Sequence, residues 1–408
     1  MAASADFADH FGIENIPFGI ASSSKRTSPQ AVTRHENKVI FLSELPEVSK
    51  AGAPAEVFTQ PTLNAFGALG RSTHKAVRAA IQQAIKSGSV PDAAVEDVSA
   101  VKMHLPMNSG DFTDFSCSPH HNRRAGRALL GQSGSLPPAF HNQPLGYAGR
   151  CSSIVVSGTP VVRPMGQFFE YGIEGLQGKR TNVRQGPCRN MDYEMEMGVI
   201  IGKPVPYGTY VTAEQAKENV FGFVLLNDWS ARDIQQFEMI PVGPLNSKHS
   251  ATSISPWVVT PDALEPFKVP TKKREIPIAP YLDDKDGARL NVRVQVAVAK
   301  DKGAEFKVTG YANTDVMDWT FEQLVSHQSS AGAGLRTGDM MGIGTISGAG
   351  DDQHGCLLEE FVPGHTPARG YVEDQEVVQI QGFAGPGVGF GECVGQLVPA
   401  INTAVWQN

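Results

Sequence analysis

A chain of 408 residues outgrows a single hydrophobic core, so two domains around separate cores are expected. Its formal charge of -7, with no evident basic patch, argues against a general nucleic-acid binder, because phosphate recognition needs clustered lysine and arginine. No apolar run approaches membrane-spanning length, MAASADFADHFG lacks the basic start and apolar core of a secretory signal, and the five cysteines (Cys117, Cys151, Cys188, Cys356, Cys393) contain no C-x-x-C pair; the expectation is a cytoplasmic protein without a membrane partner, a disulfide framework or a thiolate metal site.

Along the chain, GIENIPFGIASS and HENKVIFLSEL alternate apolar runs with turn residues, while THKAVRAAIQQAIKSG carries apolar residues at helical spacing and ends on Gly88. The pattern predicts a first module of short strands ending in a helix, with PDAAVEDVSAVKMHLPMN as a crossing segment and a boundary near residue 108, giving domains 1–108 and 109–408. Beyond it SSIVVSG, MGVIIG, FGFVLLND, SPWVVT, LNVRVQVAVAK, DMMGIGT and EVVQIQGF read as strands bounded by Gly, Pro or Asp. Two helices are predicted among them: ARDIQQFEM, opened by Ser230 with Asp233 completing an approximate capping box, and FEQLVSHQSS. KVPTKKREIPIAP reads as a basic surface loop, and there is no internal repeat. A mainly β (α+β) chain is expected.

The candidate metal ligands are all carboxylates. On a strand, residues two apart share a face, so Glu194 and Glu196 in MDYEMEMGVIIG would point together, with Tyr193, Met195 and Met197 on the other side. Asp228 closes FGFVLLND, and Asp114 lies in DFTDFSCSPHH. Like charges this close on a segment apolar enough to be buried raise a carboxylate pKa or call for a cation, and oxygen-only ligation suits Mg2+ or Ca2+ better than zinc. The competing reading is a solvated acidic face on an exposed strand.

From DFTDF to the C-terminus, five stretches (GYAGRCSSIVVSGTPVVRPMGQ, MDYEMEMGVIIG, NDWSARDIQQFEMIPVGPLNSKHSATSISPWVV, GTISG and GFGECVGQLVPA) resemble the fumarylacetoacetase family, and GIENIPFGIAS extends the similarity toward the start. The resemblance implies an SH3-like N-terminal barrel, a larger C-terminal β-roll around the active site, and a homodimer. It also implies hydrolysis of a carbon–carbon bond in a β-diketone acid, with an enolate that a divalent cation and fixed donors stabilise. In that comparison Asp114, Glu194, Glu196 and Asp228 match the metal carboxylates, with Lys248 and Thr252 beside them. His121 matches the catalytic histidine, adjacent His120 being its competitor, and an imidazole suits proton abstraction near neutral pH. Glu359 matches the carboxylate that orients it, its spacing from Thr345 favouring it over Glu360.

Arg232 and Gln235, three apart on a predicted helix, share a face and match substrate-binding donors; Lys248 matches the oxyanion lysine. For Arg232 alone, an ion pair to Asp228 or Glu238 is the plainer reading, and for Thr252 and Thr345 ordinary turn chemistry. The departures lie in the pocket. Where the family has a tyrosine, an arginine and a second tyrosine, this chain has Ser116, Leu130 and Met239, whereas Tyr147 is kept. Exchanging a bidentate cation for leucine weakens recognition of a substrate carboxylate unless Arg123, Arg124 or Arg127 replaces it. The expected substrate is a small 1,3-dicarbonyl compound other than fumarylacetoacetate. Alternatives are decarboxylation, isomerisation or C–C bond formation at the same metal enolate, or a non-catalytic metal-binding scaffold, which would have no reason to keep His121 with Glu359.

Overall fold

The computed structural model describes residues 5–131, 134–170, 182–285, 287–361 and 367–401. Strands β1 (Phe18–Ser23), β2 (Gln30–His35) and β3 (Lys38–Phe41) are followed by helix α1 (Arg71–Ser87) and by β4 (Val95–Asp97) and β5 (Val101–His104). The five strands form an antiparallel sheet in the order β4-β3-β2-β1-β5. Helix α1 buries His74, Val77, Ile81 and Ala84, the spacing of one helical face, and stops at Gly88, whose φ of 69° suits a residue without a β-carbon.

This corrects the expectation that the module ends in a helix. The segment read as a crossing holds β4 and β5, which close opposite edges of the sheet, β4 on β3 and β5 on β1. Along β5, Val101 and Met103 are buried and Lys102 is exposed, a period-two signal only four residues long.

After β6 (Phe112–Phe115), α2 (Pro119–Leu130), β7 (Gly146–Ala148) and β8 (Ile154–Val156), the chain enters two long strands, β9 (Met195–Ile201) and β10 (Val220–Asp228), in which every residue is buried. Helix α3 (Arg232–Glu238) and β11 (Thr252–Ile254) follow, then β12 (Arg293–Ala299), β13 (Lys307–Asn313), α4 (Phe321–Ser329), β14 (Met340–Gly342), β15 (Val377–Gly385) and β16 (Val388–Val398). One sheet runs β7-β6-β14-β9-β10-β11-β8; another runs β13-β12-β15-β16 and ends on the short strand Val161–Val162. The chain is mainly β, and among the described residues no helix is long and apolar enough to cross a membrane.

The cores are not separate. Residues of β10 divide between two apolar clusters: Val224 and Leu226, with Phe221 at a register shift in the ladder, pack with Phe18, Phe66 and Ile81 of the N-terminal part, while Phe223 and Leu225 pack with Met195, Met197 and Val199. A sheet buried on both faces therefore joins the two halves of the chain.

Two local expectations also change. SPWVVT is not a strand, because its neighbouring residues bond to different partners: Val258 bridges Phe18 and Val259 bridges Phe223. Ser230 does not cap α3. It pairs in a two-residue bridge, Ser230–Ala231 against Met191–Asp192, and donates its hydroxyl to the Asp228 carbonyl at 2.9 Å. The Asp233 carboxylate instead accepts from the Cys188 thiol and the Arg189 N–H, at 2.9 and 2.8 Å.

Candidate active site

Three strands bring their carboxylates to one acidic cluster. Glu196 lies in β9 opposite Leu226, Glu194 immediately precedes β9, Asp228 ends β10 opposite Thr252 of β11, and Asp114 of β6 faces Gly342 of β14. Because β9 alternates, Glu194 and Glu196 share a face, and Asp114, Glu194, Glu196 and Asp228 bring one oxygen each within 4.8 Å of all the others. All four are buried, which rules out a solvated acidic face. Gly342 makes room, since a β-carbon there would stand 2.6 Å from Asp114 Oδ1 and 2.9 Å from Glu196 Oε2.

Two buried cations only partly offset this charge. Lys248 Nζ lies 2.5 Å from Glu194 Oε2 and 2.7 Å from Asp228 Oδ2; Arg232 Nη1 lies 2.8 Å from Glu194 Oε1, but its Nε is committed to Asp192 at 2.8 Å. Burial, followed by the neighbouring carboxylates, pushes Asp114 and Glu196 well above the usual carboxylate range. Burial also acts to raise Glu194, yet Lys248, Arg232 and His121 together hold it below its ordinary value. Asp114 Oδ1, Glu196 Oε1, Asp228 Oδ1 and Thr252 Oγ1 are buried without a hydrogen-bond partner among the described residues. Buried oxygens left bare at one spot, all hard donors, fit a divalent cation.

The Tyr147 hydroxyl, expected to contact substrate, lies 2.8 Å from Asp114 Oδ2 and 2.6 Å from Asp228 Oδ2, its single proton shared between them, and so stands over the carboxylates themselves. Lys248 arrives on a loop gathered by Glu238, whose carboxylate accepts the N–H groups of Leu245, Asn246 and Ser247 and the Ser247 hydroxyl. Arg232 thus pairs with Asp192 and Glu194 rather than with Asp228 or Glu238. Its Nη1 also donates to Gln235 Oε1 at 3.0 Å, which brings the two helical residues together.

Beside the cluster stands a histidine–carboxylate pair. Ser118 caps α2 by accepting the His121 N–H at 3.1 Å, which fixes the first turn. His121 Nδ1 is 2.9 Å from Glu359 Oε1, and its Nε2 is 3.4 Å from Thr345 Oγ1. Glu359 Oε1 also accepts from Ser347 Oγ at 2.5 Å, and Oε2 accepts from Arg124 Nη1 at 3.0 Å. Burial raises Glu359, but His121, Ser347 and Arg124 outweigh it and hold the carboxyl at about 2. The thiol of Cys356 lies 3.6 Å from Glu359 Oε1. Glu360 accepts instead from the Ala368 N–H.

Of the residues at the departures, Ser116 Oγ accepts from Asn122 at 2.9 Å, whereas Leu130 and Met239 pack against Leu129, Cys356 and Leu358 in a small apolar cluster beside the histidine. Arg124 does not replace the missing cation, being held by Glu359 and by the carbonyls of Gly348, Ala349 and Gly350. Sequence reasoning missed Asp192 and Ser347, and it gave Arg124 and Glu238 other roles, as a substrate-binding cation and as a partner of Arg232. Asp192 continues the period-two series of Glu194 and Glu196, and Arg124 sits three residues after His121 on the same helical face; both signals were present.

The family description "Fumarylacetoacetate (FAA) hydrolase C-terminal" matches residues 111–398, and "Fumarylacetoacetase N-terminal" matches residues 14–106. The chain is 37% identical over 429 residues to a fumarylacetoacetase of Aspergillus fumigatus, covering 96% of both chains, and 35% identical to that of Arabidopsis thaliana over 413 residues with the same coverage. The mouse fumarylacetoacetase is 34% identical over 417 residues, 97% of each chain. Among solved structures, a fumarylacetoacetate hydrolase of Exiguobacterium antarcticum superposes with a TM-score of 0.56 at 16% identity, over 94% of this chain and 99% of that one, and shows the same fold. On these grounds, and with its N- and C-terminal parts both matched, the chain belongs to the fumarylacetoacetate hydrolase family.

Proposed function

We propose that this protein is a divalent-metal-dependent hydrolase that cleaves the carbon–carbon bond between the carbonyls of a small 1,3-dicarbonyl compound, acting in the cytoplasm as a homodimer. The observation that carries the reading is the pairing of His121 with Glu359 alongside buried carboxylate oxygens that have no hydrogen-bond partner among the described residues.

Asp114, Glu194, Glu196 and Asp228 would hold Mg2+ or Ca2+, with Thr252 adjoining, and the bound ion would supply positive charge for the dicarbonyl oxygens. Glu359 accepts the Nδ1 proton of His121, which leaves Nε2 free to take a proton from water. Arg124 and Ser347 keep Glu359 ionised and fixed. Water oxygen adds to the acyl carbonyl carbon, the bond to the central carbon breaks, its electron pair becomes the enolate, and His121 returns the proton to that carbon. Acid and ketone leave. Arg232, Gln235 and Lys248 are placed to donate to oxygens as negative charge develops, and Thr345 steadies Nε2. Tyr147 holds two of the carboxylates in register until ligands arrive. Leu130 and Met239, with Ser116 nearby, form the wall for the acyl end, so the preferred substrate has an apolar acyl group.

The test uses protein stripped with EDTA and reloaded with Mg2+ or Ca2+, offered acylpyruvates and neutral β-diketones in 18O-labelled water. Divalent-dependent appearance of label in the acid product, lost in His121→Ala, supports the assignment. Turnover without label would sink hydrolysis in favour of isomerisation or decarboxylation, and tight metal binding with no turnover would favour a scaffold.

A further inference from the structure

A second cavity, of about 350 Å3, lies between the N-terminal sheet and the sheet of β15 and β16, and includes none of the residues assigned above. Its lining is largely apolar, from Met103, Trp257, Phe306, Val377 and Val394; its charged groups are Arg34 of β2 and, on the facing elements, Asp301, Lys302 and Glu392, of which Arg34 alone is a buried cation. Three arginines are buried among the described residues: Arg163 pairs with Asp374, Arg232 pairs with Asp192 and Glu194, and Arg34 has no ion pair.

Arg34 is 1% exposed. Its guanidinium lies over the Phe11 ring at 4.0 Å, its Nε donates to the Glu36 carbonyl at 2.7 Å, and its Nη2 reaches Asn37 Oδ1 only at 3.4 Å. Nη1 donates to no described residue. Burial lowers the group to about 10, with Glu392 and Asp97 acting in the other direction, so it stays charged at neutral pH. A buried charge with no carboxylate in direct contact is costly, and stacking on one ring face together with the more distant Glu392 and Asp97 offsets only part of that cost. A guanidinium with a free edge at the wall of an apolar cavity is complementary to a carboxylate, which two parallel N–H groups can grip. The volume suits a small organic molecule rather than a peptide.

We propose that this cavity binds a small amphipathic monocarboxylate, with its head on Arg34 and its apolar body against Trp257, Met103 and Val394. The site is distinct from the acidic cluster, so its occupancy does not depend on the reaction proposed above.

The experiment titrates the full-length protein, by calorimetry and by tryptophan fluorescence, with 4-phenylbutyrate and with its neutral amide. The acid is expected to bind roughly tenfold more tightly than the amide, a preference that Arg34→Met removes while amide binding persists. Val394→Trp, which fills the cavity without touching Arg34, should abolish binding of both, and Trp257→Phe should remove the fluorescence change while leaving the heat. His121→Ala should alter nothing. Absence of saturable binding, equal affinity for acid and amide, binding undiminished in Val394→Trp, or loss of binding in His121→Ala would each overturn the proposal. Should Arg34→Met not fold, the acid-to-amide ratio in the wild type and the Val394→Trp result decide it without that variant.

Discussion

If Arg124 acts only through Glu359, Arg124→Met should cost activity in a way that vanishes once Glu359 is itself altered. The Nη1 to Oε2 contact is 3.0 Å, and the two side chains are 17% and 0% exposed, so solvent screens it little. A hydrogen bond to a buried charge contributes about 1.5–3 kcal/mol, and if that is realised in the transition state the loss is roughly 10- to 100-fold in kcat, at about 1.4 kcal/mol per decade. Glu359 would keep His121 and Ser347, so catalysis should fall rather than disappear. KM should move little, because Arg124 does not face the proposed acyl wall. Lysine, which supplies a charge without the fork that also grips the Gly348 and Gly350 carbonyls, should rescue part of the loss. Steady-state kinetics on Arg124→Met, Glu359→Gln and the double variant form a cycle. The double variant should be no slower than Glu359→Gln alone. Multiplicative losses would refute the reasoning, because Arg124 would then act by a route that bypasses Glu359.

Glu196→Gln should lower divalent-ion affinity and turnover together, read by calorimetry and kinetics; unaltered metal affinity would exclude Glu196 as a ligand. Mg2+ or Ca2+ should raise the melting temperature of stripped protein, because it relieves repulsion among four buried carboxylates, and the increment should shrink in Glu196→Gln. Leu130→Arg, alone or with Ser116→Tyr, should shift relative kcat/KM toward substrates with an anionic acyl end by roughly 10-fold or more, the scale of a charged hydrogen bond; a variant that remains active on neutral diketones with unchanged preference would refute the acyl-wall assignment. His74 is held down to about 4 by burial. An imidazole whose folded pKa is depressed is stabilising above its unfolded value near 6.5, and that contribution is lost as pH falls through 4, about 3 kcal/mol in all. Melting curves of His74→Gln should therefore fall less steeply than wild type over that window, and an identical slope would show that His74 does not set the acid limb.

Much of the site was legible because its chemistry is local. The period-two spacing of Glu194 and Glu196 survives in the structure because β9 is regular there, and the three-residue spacing of Arg232 and Gln235 survives because α3 is. What the sequence hid was set by partners far along the chain. Whether VKMH is a strand depends on β1, about 80 residues earlier, offering a free edge. Ser230 carries the composition of a cap, but pairing with Met191–Asp192 had already claimed its backbone, so propensity yielded to the ladder. SPWVVT has the apolar content of a strand and none of the continuous pairing, since its successive residues serve two different neighbours. Ser347 was invisible for a similar reason, as a serine among glycines gives no sign of the carboxylate it will meet.

The grip of Glu238 on residues 245–247 ties the lysine-bearing loop to the helix that bears Arg232 and Gln235. The cationic half of the centre is thus a single rigid jaw, whose teeth cannot be reset one at a time. Adaptation to a new substrate has its freedom on the opposing side, at the end of α2, where Leu130 can be exchanged without loosening the grip on developing charge.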